Sequence, residues 1–325
     1  MPTVLLTGAT GFVGSQLMPV LRGACWRVRA ALRSGRDALP DGVEPVLVGD
    51  LSDAPDLRGA LDGADAVIHL AGRAHVMRET AADADAAFHR ANVDASRRLA
   101  RQAAASGVRR LVFVSSVKVN GERTGDRPFA EADPPAPEDA YGRSKWAAEQ
   151  ALREIAAATG LEVVVIRPPL VYGPGVKGNF LRLLRLVETG VPLPLASVRN
   201  RRSLVSVWNL CDLIVATAAH PAAARETFLV SDQRDLSTAE LVRAIAAAMG
   251  RPARLVPFPP SALRIAGRAL GQAAAVERLV GSLQVDSGKA TRLLGWVPRV
   301  AVDDGLRRTV EWWLATRSRR PAERA

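Results

Sequence analysis

Lysine is scarce in this chain: of 44 basic residues only four are lysines, Lys118, Lys145, Lys177 and Lys289. Arginines therefore carry the formal charge of +11, and they are scattered rather than run together. That argues against a nucleic-acid footprint, which needs a clustered basic face, and leaves small anionic ligands well served. The only two cysteines, Cys25 and Cys211, lie far apart in apolar segments with no further cysteine or histidine at metal-ligand spacing, which speaks against a disulfide framework or a metal site built on them. No apolar run approaches the roughly 20 residues of a membrane span. The opening MPTVLLTGATG enters a strand and a glycine loop without the segments of a signal peptide, so a reducing, cytoplasmic setting is expected. Low-complexity tracts are also absent, and 325 residues at 48% hydrophobic can bury a sizeable core in one large or two closely packed domains.

The first half alternates short β-branched runs with longer helical patterns. Strands are expected at 3–7, 27–32, 44–50, 65–71, 110–116 and 162–168, with amphipathic or alanine-rich helices between most of them. This is the pattern of an α/β fold with a Rossmann-type, doubly wound parallel sheet. Near-continuous apolar strands agree with burial on both faces. After RPPLVYGPG (167–175) the elements become less regular and proline recurs. A dinucleotide-binding domain is thus expected over 1–170 and a smaller, mainly substrate-binding α/β portion over 171–325. Elements near 200–232 are open to return to the main sheet, and RSRRPAERA at the end reads as a solvated tail.

LLTGATGFVG sets Gly8, Gly11 and Gly14 between a strand and a helix. Glycines there permit a tight turn and close approach of the backbone to a pyrophosphate resting on the helix N-terminus, though a plain glycine-rich turn reads the same way. DAYGRSKWAAEQALREIAAATG (139–160) reads as a long helix ended by Gly160, with Tyr141 and Lys145 four apart on one face. A phenol ionises near pH 10, so half ionisation at pH 7 requires roughly 4 kcal/mol of differential stabilisation, much of which an ammonium and an oxidised nicotinamide can supply. In FVSSVKVNG (113–121) two serines end a strand, either as turn residues or with one of them as a partner to a substrate oxygen.

Taken together, the TGxxGFxG loop, the serine pair, the Tyr141–Lys145 pair and the late KATRLLGWVP resemble the extended short-chain dehydrogenase/reductase family, over about residues 3–314. The resemblance implies that Gly8, Thr10, Gly11, Phe12, Val13 and Gly14, Asp50 and Leu51 of GDLSD, Leu70, Ala71 and Gly72 of HLAG, and Pro168 contact the cofactor. It implies a catalytic set of Ser116, Tyr141 and Lys145: Ser116 bonds the substrate oxygen, Tyr141 exchanges its proton, and Lys145 holds the nicotinamide ribose and biases Tyr141. Ser115 is then structural, and Asn92 shapes the site. Enzymes specific for the unphosphorylated cofactor usually carry an acid at the end of the second strand. This chain offers ALRSGR, so Arg33, with Arg36, favours NADP(H) over NAD(H) through charge-assisted bonds to a 2′-phosphate.

The same resemblance places Lys118, Asn179, Phe180, Arg202 and Arg278 at a UDP-sugar, the two arginines on its diphosphate. Sugar-nucleotide dehydratases of the family carry Asp-Glu after the catalytic hydroxyl, where this chain has Val117 and Lys118, so dehydration is disfavoured. Epimerases usually carry tyrosine where Asn120 stands. The leading expectation is NAD(P)-dependent reduction of a UDP-4-keto-6-deoxy-N-acetylhexosamine for surface polysaccharide, in a homodimer built on the helices near 83–106 and 141–158. The alternatives are a UDP-glucose or UDP-N-acetylglucosamine 4-epimerase and, in another class, a non-catalytic dinucleotide-binding module.

Overall fold

The computed structural model describes residues 1–35, 38–74 and 81–318, without the side chains of 81–84. Its strands are β1 Thr3–Thr7, β2 Arg27–Leu32, β3 Val43–Leu47, β4 Ala66–His69, β5 Arg110–Val114, β6 Glu162–Arg167, β7 Leu170–Tyr172, β8 Leu204–Ser206 and β9 Thr227–Leu229. Its helices are α1 Phe12–Gly23, α2 Arg58–Leu61, α3 Ala81–Phe88, α4 Ala95–Ala105, α5 Ala140–Thr159, α6 Gly178–Thr189, α7 Val207–Ala219, α8 Thr238–Ala248, α9 Pro260–Ala269, α10 Ala273–Val280, α11 Gly288–Leu294 and α12 Val302–Ser318.

Seven strands form one parallel sheet in the order β3-β2-β1-β4-β5-β6-β9, while β7 and β8 pair separately. All six expected strands exist, but β3, β4 and β5 stop two or three residues early. Apolar patterning does not register where the chain leaves the ladder, as it does at Gly49, whose φ of +73° turns β3 toward Asp50. Burial on both faces holds for β1, β4, β5 and β6. It fails at the edge, where β2 and β3 alternate and Leu47 faces solvent. Residues 227–229 return to the sheet beside β6. Helix α7 covers the same face as α1, where Leu17, Leu21, Leu210 and Ile214 pack on Val4, Leu6 and Ile68.

The opposite face is closed by α4 and α5, through Leu99, Ala103, Leu152 and Ile155 against Leu5, Val67 and Phe113. A third core joins β7, α6, α8 and α12 around Tyr172, Phe180, Ile245 and Val310. Helix α5 starts where Asp139 Oδ1 accepts from Gly142 N at 2.7 Å and ends at Gly160, φ +81°.

A buried ion pair fixes α5 to the sheet. Glu149 and Arg167 are both almost wholly buried and joined by bonds of 2.9 and 2.6 Å; Glu149 also accepts from Ser115 Oγ at 2.6 Å, and Arg167 donates to Asn120 Oδ1 at 3.0 Å. Removing one partner of such a pair strands a desolvated charge. Arg167→Met is expected to lower the unfolding free energy by about 3–5 kcal/mol in urea denaturation, and Arg167→Met with Glu149→Leu to recover most of that loss.

Candidate active site

The sheet order reverses between β1 and β4, which opens a crevice at their carboxyl ends. The glycine loop lines it. Gly8, at φ +71°, approaches the end of β4 so closely that a Cβ would lie 2.7 Å from Ala71 N. Gly14 lets α1 settle onto the loop, since a Cβ there would meet Gly8 O at 2.2 Å. Gly11 is the N-cap of α1 and supplies no side-chain cap, and the first turn holds no acid. The N–H groups of Phe12 and Val13 are thus left for an external acceptor, with the helix dipole behind them. Thr10 is exposed beside them. These features fit a dinucleotide pyrophosphate.

Around this loop, Asp50 accepts from Ser52 N at 2.8 Å, a bond that holds its carboxyl below the usual range with help from Arg33. Arg33 lies 3.3 Å from Asp50 and is mostly exposed; Arg36 lies outside the described residues. Leu51 O accepts from Arg98 at 3.0 Å, and Leu70 N donates to Thr7 O at 3.2 Å.

Beneath Leu70–Gly72 runs a polar network that the sequence reading missed. His69 is buried, with Nδ1 2.6 Å from Thr7 Oγ1 and Nε2 2.9 Å from Ser96 Oγ. Because Ser96 Oγ donates to Asn92 O at 2.6 Å, the histidine carries its proton on Nε2. Burial, with Lys145 nearby, pushes its pKa down to about 3, so it is a neutral strut. Asn92 accepts from Arg73 N at 2.8 Å and donates to Ser144 Oγ at 2.9 Å, and Ser144 Oγ donates to Tyr141 O at 2.8 Å. Asn92 thereby ties the loop after β4 to the helix that carries Tyr141. Asn92 was expected to shape the site; for the rest of the network the sequence offered only a histidine inside an apolar strand.

Ser116, Tyr141 and Lys145 converge at the end of β5. Ser115 points back to Glu149, while Ser116 is half-buried and close enough to the Tyr141 phenol to favour its ionised form. Burial pushes that phenol up to about 12, opposed by Ser116 and with the Asp139 carboxylate adding to the rise. Lys145 Nζ donates to Val114 O at 2.9 Å, lies over the Phe113 ring, and is driven down to about 8 by burial, with Glu149 opposing. It reaches the cofactor side, since a Cβ on Gly72 would be 3.6 Å away. Pro168 is buried and accepts from Val117 N at 3.0 Å.

On the expected substrate side, Arg202 donates to Arg278 O at 3.0 Å and Gly281 O at 3.1 Å. Burial and the neighbouring Arg278 charge lower its pKa, as at a site suited to an anion. Asn179 is exposed. Two residues depart from expectation. Phe180 is core, stacked on Tyr172 with centroids 5.5 Å apart. Lys118 is engaged by Glu122 at 2.8 Å and by Asp139.

A Rossmann-type sheet with this loop and this serine, tyrosine and lysine cluster defines a nicotinamide-dinucleotide enzyme of the extended short-chain type. Residues 4–231 match the NAD dependent epimerase/dehydratase family, and the chain belongs to that family. It is 43% identical over 320 residues to a UDP-glucose 4-epimerase of Vibrio cholerae, covering 98% of this chain and 97% of that one. It is 27% identical to the N-acetyl-alpha-D-glucosaminyl-diphospho-ditrans,octacis-undecaprenol 4-epimerase of Escherichia coli O157:H7, over 95% and 94% of the two chains. Among solved structures, MoeE5 in complex with UDP-glucuronic acid and NAD superposes with a TM-score of 0.77 at 27% identity, over 97% of this chain and 99% of that one.

Two measurements follow from the titrating groups. Both tyrosines, Tyr141 and Tyr172, are held above the ordinary value, chiefly by burial. Cofactor-free protein should therefore show almost no tyrosinate absorbance at a pH of about 10, where a free phenol is half ionised. His69 binds a proton more weakly folded than unfolded, so stability is full above about pH 6.5 and falls as the pH drops toward 3, by up to about 1.4 kcal/mol per unit. Urea titrations across that range should show a shallower slope in His69→Gln.

Proposed function

We propose that the chain is a UDP-hexose 4-epimerase, acting on UDP-glucose or UDP-N-acetylglucosamine with a retained NAD. The observation that carries this reading is the near full-length 43% identity to a UDP-glucose 4-epimerase. Two structural facts support it. No second acid and base follow Ser116, because Val117 is buried and Lys118 is ion-paired, so elimination of water has no local partners. Asn120, where epimerases usually hold tyrosine, is buried and bonded to Arg167 and Ala130 O. It faces the core, so its identity says nothing against epimerisation.

In this reading a bound nicotinamide supplies the hydride acceptor and donor for the sugar C4. Tyr141 Oη takes the proton of the 4-hydroxyl and later returns it. Ser116 Oγ, beside that phenol, keeps the sugar oxygen in line. Lys145, placed between Val114 O and the Gly72 loop, holds the ribose and helps the phenol ionise once the ring's positive charge is present. Arg202 and Arg278 grip the diphosphate, which anchors the nucleotide while the keto sugar turns.

Arg33 sustains a second reading: an exposed guanidinium with no acid at the end of β2 suits NADPH and net reduction of a UDP-4-keto-6-deoxy-N-acetylhexosamine. Denaturing the purified protein and identifying the released nucleotide separates the two. Released NAD, together with interconversion of UDP-glucose and UDP-galactose without added cofactor, is expected. An empty site that consumes NADPH would favour the reductase. Tyr141→Phe should lower kcat by roughly 10²–10⁴-fold with nucleotide binding intact; unchanged turnover would leave only a binding module.

A further inference from the structure

A cluster of charges joins the two ends of the site. Asp139 caps α5 through Oδ1 and Gly142 N at 2.7 Å, two residues before Tyr141. Its other oxygen meets the Lys118 ammonium, which also holds Glu122 at 2.8 Å. Lys118 sits in the turn that follows Ser116, so one residue links that turn to the cap of the catalytic helix. Glu122 in turn is near enough to Arg202 to favour its charged form. Among the described residues, Ser116 from the β5 end and Asp139 from the helix cap act on the Tyr141 phenol, the Phe88 ring from α3 lies against its ring with centroids 6.1 Å apart, and Lys145 follows one turn along α5. The nearby Arg143–Asp85 pair, at 3.1 Å, is exposed and mutually neutralised.

We infer that Lys118 is a positioning residue that sets the acidity of Tyr141 by neutralising the Asp139 carboxylate at the head of the catalytic helix. The inference rests on Tyr141 being the proton-exchanging group proposed above. Asp139 is a carboxylate close to a phenol that has to lose a proton, and uncompensated it opposes that loss. The pull of Lys118 offsets it. Burial works against the lysine's charge, but the bonds to Asp139 and Glu122 prevail and raise its pKa, so the cation persists across the working range. A cap of asparagine or serine would hold the helix as well; the carboxylate–ammonium pair adds control over the phenol.

Four proteins test this: wild type, Lys118→Met, Asp139→Asn, and the double variant. Asparagine remains a good N-cap, so α5 keeps its start while the charge goes. In NAD-loaded protein the tyrosinate band should appear at higher pH in Lys118→Met, at lower pH in Asp139→Asn, and close to the wild-type position in the double variant. Tyr172, held far above its ordinary value, stays silent. The pH profile of kcat should follow, with Lys118→Met losing about tenfold near pH 7 and less than about twofold near pH 9, since one unit is a factor of ten. Coincident tyrosinate titrations in all four proteins, or an equal loss of kcat at every pH, would overturn the inference. Titrations that shift as expected while kcat does not follow would leave the tuning intact and sink the catalytic reading of Tyr141.

Discussion

Everything at this site hangs on one buried carboxylate. Glu149 takes bonds from Ser115 on the strand side, from Arg167 at the end of β6 and from Arg153 one turn on, and it has no contact with solvent. A charge so placed is tolerated only when its partners are held in register, and holding them fixes α5 against β5 and β6. Tyr141 and Lys145 ride on that helix, and Ser116 adjoins the tethered Ser115. The reacting groups are thus aligned by an interaction that none of them makes.

The polar network under β4 performs the same service for the cofactor side. Neutral His69 spans Thr7 and Ser96, and Asn92 carries the connection on to Ser144 and the Tyr141 carbonyl. The two halves of the crevice are cross-braced by side chains that exclude water and complete one another's hydrogen bonds, which makes a buried network rigid rather than costly. The charged cluster at Lys118 lies at the opposite, wetter end, where the helix begins.

Much of this was legible in the sequence because local chemistry decides it. Asp139 and Gly160 bound α5 by capping and by a positive φ, and the glycines of the first loop stand where a Cβ would collide. What remained hidden depends on meetings between distant segments. Ser115 and Ser116 are alike in local chemistry; the family resemblance set them apart, and the physical reason, the bond from Ser115 to Glu149 34 residues on, came only with the fold. Lys118 looked available for substrate because its partner Asp139 lies 21 residues away. Phe180 falls in the right motif, yet the stacking on Tyr172 that claims it comes from the preceding strand. Asn120 looked like an argument against epimerisation until Arg167, 47 residues further on, accounted for it.

The shortage of lysine has a consequence for the surface as well. Lys145 is buried, Lys118 is held by two carboxylates, and Lys289 is bonded to Glu226 at 2.7 Å and to Thr227 O. That leaves Lys177, exposed at the N-cap of α6, with no bond found for its ammonium among the described residues. Amine-directed reagents therefore meet a protein with essentially one reactive side chain, beside the segment that leads to Asn179. A strongly basic molecule thus presents few free side-chain amines to acylating chemistry, because arginine carries its charge.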